Sequence, residues 1–309
     1  MDNNKNQRTN ILRIFLALIT LLSLNALPAF SSEFACDEKS VLTTFDNNKF
    51  VIENDKARNI AALELAPCIA SKSSKIRDEI TFTTISSWHR ENKLTQATTT
   101  KLFTYFIQQL KIPKNDKDNF KQPFAALLLS EVVRVDRVSP YLTDKQRQQA
   151  IKTTITYMKS ITDYRGFSEP DGWRHAVAHT ADVFLQLALN KNITPKSGNN
   201  IAKAIFSQVS PIEHFYIYGE PRRLVLPLAY LMINEKLSID NFDAMLKQLT
   251  NPLPFENWQA VYSSQQGLAK RHNTRLFLMN FYTLIADSEN AKLKAVKPLI
   301  KQALKSIGG

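Results

Sequence analysis

Residues 172–189, GWRHAVAHTADVFLQLAL, constrain the fold more than any other stretch of the chain. Wound as a helix at about 100° per residue, they are apolar round most of the circumference. The exception is one narrow stripe, with His175, His179, Asp182 and Gln186 at roughly 0°, 40°, −20° and 20°. Between Ala176 and Leu189 only Thr180 adds a polar group outside it. A helix of this kind belongs inside a larger body. There, two imidazoles and a carboxylate are costly unless they are paired, metal-bound or facing a cavity.

The rest of the chain supplies helices to surround it. There are only seven glycines in 309 residues, while apolar residues recur at spacings of three and four. That combination excludes a β-rich fold and predicts an all-α one. Helices are expected over 55–71, 75–92, 96–111, 121–136, 144–162, 172–190, 195–209, 221–236, 239–249, 268–286 and 289–306. Thr194 before Pro195, Ser238 and Ser288 read as N-caps, each able to accept a bond from an orphan N–H. The helices fall into antiparallel pairs, 75–111, 121–162, 172–209, 221–249 and 268–306. Each pair spans roughly thirty to forty-odd residues, the period of HEAT-like repeats. The expected architecture is therefore a HEAT-like α-solenoid of stacked hairpins, or an irregular α/α domain of the same spacing.

The N-terminus reads as a secretory signal peptide over 1–31. Lys5, Arg8 and Arg13 precede an apolar run at 14–28, and Ala29 and Ser31 place small residues at −3 and −1 of a cut after Ser31. Glu33-Phe34-Ala35 before Cys36 is not a lipobox. The expectation is an exported protein, periplasmic or secreted, with no transmembrane span after cleavage. In an oxidising compartment the two cysteines, Cys36 and Cys68, are expected to form a disulfide. Residues 32–72 would then be an N-terminal extension pinned by that bridge, and 73–309 the helical domain. The formal charge is +12, or +10 without residues 1–31. Such a balance suits an anionic envelope component or peptide as partner. No nucleic-acid module or basic–aromatic groove is present, so nucleic acid is not expected.

Three clusters could carry chemistry. The H-x-x-x-H pair His175 and His179 has the spacing that lets two imidazoles reach one divalent metal, with Asp182 as an oxygen ligand. HAVAH lacks the glutamate of a zincin helix, so a base would come from elsewhere. The competing reading is a hydrogen-bonded core network running from His to Asp to Arg. The approach loop, Asp163 to Trp173, holds Gly166 and Gly172 and would set Arg165 and Trp173 at the rim of the stripe. In the second cluster, from His214 to Leu224, Pro221 suits a first helical position, which makes Glu220 an N-cap. Arg223 could instead pair bidentately with Asp182. In the third, Lys270 to Tyr282, Asn273 and Asn280 lie seven residues apart on an otherwise apolar helix, and buried amides need partners.

Together these motifs resemble the bacterial domain-of-unknown-function family 2785. The stretches that carry the resemblance are IRDEITF at 76–82, LLLSEVVRVDR at 127–137, YRGFSEPDGWRHAVAHTAD at 164–182, YGEPRRL at 218–224 and RHNTRLFLMNFY at 271–282. They cover about 76–285, and RGF followed by GWxHAxAHxAD is the most specific part. The chain departs from the pattern at Arg174 and Thr180, where small residues are usual, and at Pro221-Arg222, where the family is acidic. The resemblance implies a helical domain and marks Arg165, Trp173, His175, His179, Asp182, Glu220, Arg223 and Asn273. It brings no activity with it.

Two functions compete. One is a HEAT-like binding or scaffold module of the cell envelope, its groove organised by the polar stripe. The other is an envelope hydrolase. It would use a metal held by His175, His179 and Asp182, or an Asp182/Glu220 acid/base pair acting on a saccharide.

Overall fold

A computed structural model of the chain describes residues 35–45, 51–112 and 118–308. The leader expected over 1–31 lies outside the described residues. What is described is all-α, apart from one two-stranded hairpin.

Helices α1 (Glu38–Phe45) and α2 (Asp55–Leu65) lead through a 3₁₀ segment, Ala66–Ala70, to a π-helix at Lys75–Phe82 and then α3 (Thr83–Arg90). Next come α4 (Gln96–Lys111), α5 (Lys121–Val138) and α6 (Asp144–Ser160). Strands β1 (Phe167–Ser168) and β2 (Gly172–Trp173) pair antiparallel, with Phe167 opposite Trp173. The chain continues as α7 (Ala176–Ala188), α8 (Pro195–Phe206), α9 (Glu220–Ile233) and α10 (Ile239–Leu249). A 3₁₀ turn at Ala260–Ser263 precedes α11 (Gln265–Ile285) and α12 (Ala291–Ser306).

From α5 onward the helices form two rows. Helices α5, α7, α9 and α11 pack side by side in one, and α6, α8, α10 and α12 in the other. Helix α7 lies in the middle, against α5 on one side and α9 on the other. Its nearly all-round apolar surface explains that position. Val183, Phe184 and Leu187 are fully buried, each stabilising by roughly 1.5–3 kcal/mol relative to exposure.

Local chemistry sets the helix ends. Thr194 accepts from the Ser197 N–H ahead of Pro195, and Ser238 from that of Asn241. The cap expected at Ser288 is instead Asn290, whose amide oxygen reaches the N–H groups of Lys292 and Leu293. The single helix expected over 75–92 opens as a π-helix, and the one expected over 172–190 starts only at Ala176. Hairpin formation by 167–173 accounts for the second difference. Cys36 and Cys68 are joined by a disulfide. Among the described residues no helix is long and apolar enough to cross a membrane.

Candidate functional site between α7 and α9

The site begins with a backbone irregularity. His175 is the residue before α7 and sits in the left-handed region, φ 55° and ψ 38°. It is not one turn along a helical face, as the H-x-x-x-H reading supposed. Main-chain bonds hold it there: its N–H donates to the Arg165 carbonyl at 3.1 Å, and that of Arg174 to the Gly166 carbonyl at 2.9 Å. A non-glycine residue in this conformation persists only where its surroundings over-determine it, and such residues cluster at functional sites.

The hairpin that feeds His175 is anchored from below. Arg77, fully buried, donates to the carbonyls of Ser71 and Asp171 at 2.9 and 2.6 Å. Its guanidinium lies 3.8 Å from the Phe120 ring centroid, and that of Arg174 lies 4.3 Å from it. Gly172, at φ 74°, leaves space that Arg77, Asp78 and Ser74 occupy. Neither Arg77 nor Phe120 stands out by residue type; Arg77 lies within the IRDEITF motif, the one sequence signal that could have found it.

The left-handed turn aims the His175 ring at α9. Its Nε2 lies 3.5 Å from Oε1 of Glu220, which is itself almost fully buried. Glu220 is the first residue of α9, and the cap is Gly219, at φ 89°. The capping role expected of Glu220 is therefore not the one it has. Its Oε2 accepts from the Tyr218 N–H at 3.0 Å, which leaves Oε1 toward the imidazole. His175 Nε2 is buried and has no hydrogen-bond partner within the usual distance.

Aromatic rings cover this couple. Trp173 stacks on His175 with centroids 4.8 Å apart, and Tyr218 meets Trp173 edge-on at 5.7 Å. Phe167 flanks Trp173 at 5.3 Å. Trp173 is 37 % exposed and Phe167 44 %, so the rings reach solvent above a buried polar floor. Gly166 makes this packing possible, because a Cβ there would fall 2.0 Å from the Tyr218 ring. Tyr218 and Phe167 belong to the YGEPRRL and YRGF motifs, but nothing in their local sequence places them together here.

Deeper along α7 the stripe resolves into separate partnerships. His179 is buried edge-on to Phe124 and hydrogen-bonds the Pro123 carbonyl of α5, while its Nδ1 has no partner. Burial, with His175, Arg223 and Arg77 close by, holds its pKa well below the ordinary imidazole value. Asp182 is gripped by Arg223 of α9 through both carboxylate oxygens, one at 2.7 Å from Nε. Burial pushes the Asp182 carboxyl up, against the pull of that guanidinium. Gln186 accepts from Arg137 Nε at 3.0 Å.

This arrangement corrects the metal reading. Among the described residues no three His, Cys, Asp or Glu side chains are grouped to hold a metal ion. His175, His179 and Asp182 fail as a set because Arg223 engages both Asp182 oxygens and the two rings lie 5.6 Å apart at 63°. The Asp182/Glu220 acid/base pair is weakened for the same reason.

The remaining residues hold the frame. Arg165 turns its guanidinium to Asp163, which also accepts from Asn119, and offers the site only its carbonyl. Asn273, fully buried on α11, accepts from the Tyr216 N–H and donates to the Pro211 and His214 carbonyls. It thus fixes the loop that delivers Tyr218 and Glu220. Asn280 bonds the Leu276 carbonyl of its own helix.

A family model described as a protein of unknown function, DUF2785, matches residues 106–283. The chain belongs to the DUF2785 family. The match takes in α5 through most of α11, so the His175–Glu220 couple and both helices that carry it lie within the DUF2785 region. No curated protein and no solved structure matches the chain.

Proposed function

We propose that this DUF2785 protein is an exported, HEAT-like binding module of the cell envelope. Its site takes a ligand that lays a flat face on Trp173 and hydrogen-bonds to the His175–Glu220 couple. The observation that carries this reading is the couple itself: a buried imidazole nitrogen without a partner, 3.5 Å from a buried carboxylate, beneath partly exposed aromatic rings. Sites of this composition, apolar walls with a few placed polar groups, are the usual form of a ligand pocket. Support for export comes from the leader motif and from the Cys36–Cys68 disulfide, which persists in oxidising compartments.

The test is a titration of the purified protein with soluble peptidoglycan fragments, which bring sugar rings, peptide and carboxylates together. Tryptophan emission should change saturably, and the change should vanish in Trp173→Ala and weaken in His175→Ala. A flat titration, or one that both variants leave intact, would reject the reading. Export is checked separately by the mass of the protein from the envelope fraction, which should begin after Ser31.

A second reading, acid–base hydrolysis in the envelope, draws on the same couple, since a carboxylate beside an imidazole can hold or move a proton. Release of new reducing ends or amines from those fragments, lost in Glu220→Gln, would favour it over binding alone.

A further inference from the structure

Along one face of α11 runs a groove of about 460 Å³, within the range of roughly 300–1,000 Å³ typical of ligand sites. Leu268, Arg271, Arg275, Leu276 and Met279 line it, joined by Phe215 and by His272. The α11 residues follow at spacings of three and four, so they share one helical face about 16 Å long. Met279 is 46 % exposed.

The charge on this face is one-sided. No aspartate or glutamate lines the groove. Arg275 has no ion pair among the described residues, and Arg271 donates only to the Gly308 carbonyl while stacking on Tyr262, its buried Nε left without a partner. The order along the helix then decides the occupant. Arginines one turn apart lie between Leu268 on one side and Leu276 and Met279 on the other. An acyl carboxylate puts its charge at one end of an apolar chain and does not match that order. A second copy would bring its own +12, and the leader carries Lys5, Arg8 and Arg13; both oppose the arginines with like charge.

We propose that this face of α11 docks an acidic amphipathic helix of a partner protein, with carboxylates one turn apart on Arg271 and Arg275 and apolar side chains on Leu268, Leu276 and Met279. The proposal is independent of the ligand assigned to His175 and Glu220.

The probe is a labelled, alanine-based helix long enough to cover three turns, with two glutamates one turn apart between leucines. Its control carries lysines in place of the glutamates. Fluorescence anisotropy with the intact protein should show the glutamate helix binding at least about tenfold more tightly, with the preference reduced by added salt. Arg275→Glu and Met279→Ser, both on the surface of α11, should each weaken it while the circular dichroism spectrum stays unchanged. Equal binding of the two peptides, or indifference to both variants, overturns the proposal. So does stoichiometric binding of laurate that competes with the peptide more strongly than the peptide binds, or self-association in sedimentation that buries Met279.

Discussion

His175 reaches Glu220 from a different helix end, Nε2 to Oε1 at 3.5 Å, with the Tyr218 N–H fixing the second carboxylate oxygen. Glu220→Gln preserves an acceptor for that N–H and removes the charge. Binding of the peptidoglycan probe should fall about tenfold, while stability changes by less than about 1 kcal/mol. Titration and urea denaturation on the same sample separate the two effects.

Arg223→Ala would leave Asp182 buried without its partner. Breaking a wholly buried pair costs roughly 3–5 kcal/mol; Arg223 is 39 % exposed, so about 2 kcal/mol is expected. Because burial already raises the Asp182 pKa, the deficit should shrink as the pH falls and the carboxyl takes a proton. Asp182→Asn in the same chain should recover much of the loss in denaturant melts.

Two buried histidines set an acid limit. Burial lowers the pKa of His89 from 6.5 to about 4, with Arg134 adding to the effect, and that of His179 falls well below its ordinary value. A base whose folded pKa is depressed binds its proton better when unfolded, so stability is complete above pH 6.5 and declines below it. For His89 the decline runs to about pH 4 and amounts to on the order of 3 kcal/mol. His89→Gln should flatten that part of a stability–pH curve.

Gly166→Ala tests the aromatic cover. The added Cβ would meet the Tyr218 ring at 2.0 Å, an overpacking worth about 1–3 kcal/mol. Tryptophan emission should shift as Tyr218 leaves Trp173, and probe binding should weaken although no polar group has changed.

Reduction of the Cys36–Cys68 bridge frees a loop spanned by a separation of 32 residues, for which chain entropy gives about 3–4 kcal/mol. Thermal melts with and without reductant should differ accordingly, and Cys36→Ser should behave as the reduced protein does.

Much of the fold was legible because its signal is local. The spacing of apolar residues located α4 and α10 to the residue, and Thr194-Pro195 marked the start of α8. The facing of Arg223 toward Asp182 was within reach too, since a buried carboxylate demands a cation. What escaped depends on contacts between distant segments. Asp171-Gly172 is a turn signal, but the hairpin it belongs to has strands of two residues and is held by Arg77 from elsewhere in the chain, so helical periodicity ran straight through His175. The cap role given to Glu220 failed likewise: Gly219 takes the cap, and the carboxylate answers to a histidine forty-five positions earlier in the chain.

The left-handed backbone at His175 narrows what this position can become. Few side chains other than glycine, asparagine, aspartate and histidine tolerate those angles readily. A saturation library at 175 would thus be sorted first by main-chain geometry and only afterwards by ligand. Chemically close substitutes with branched β-carbons should drop out for conformational reasons alone, and the survivors would report on function without that confounding loss.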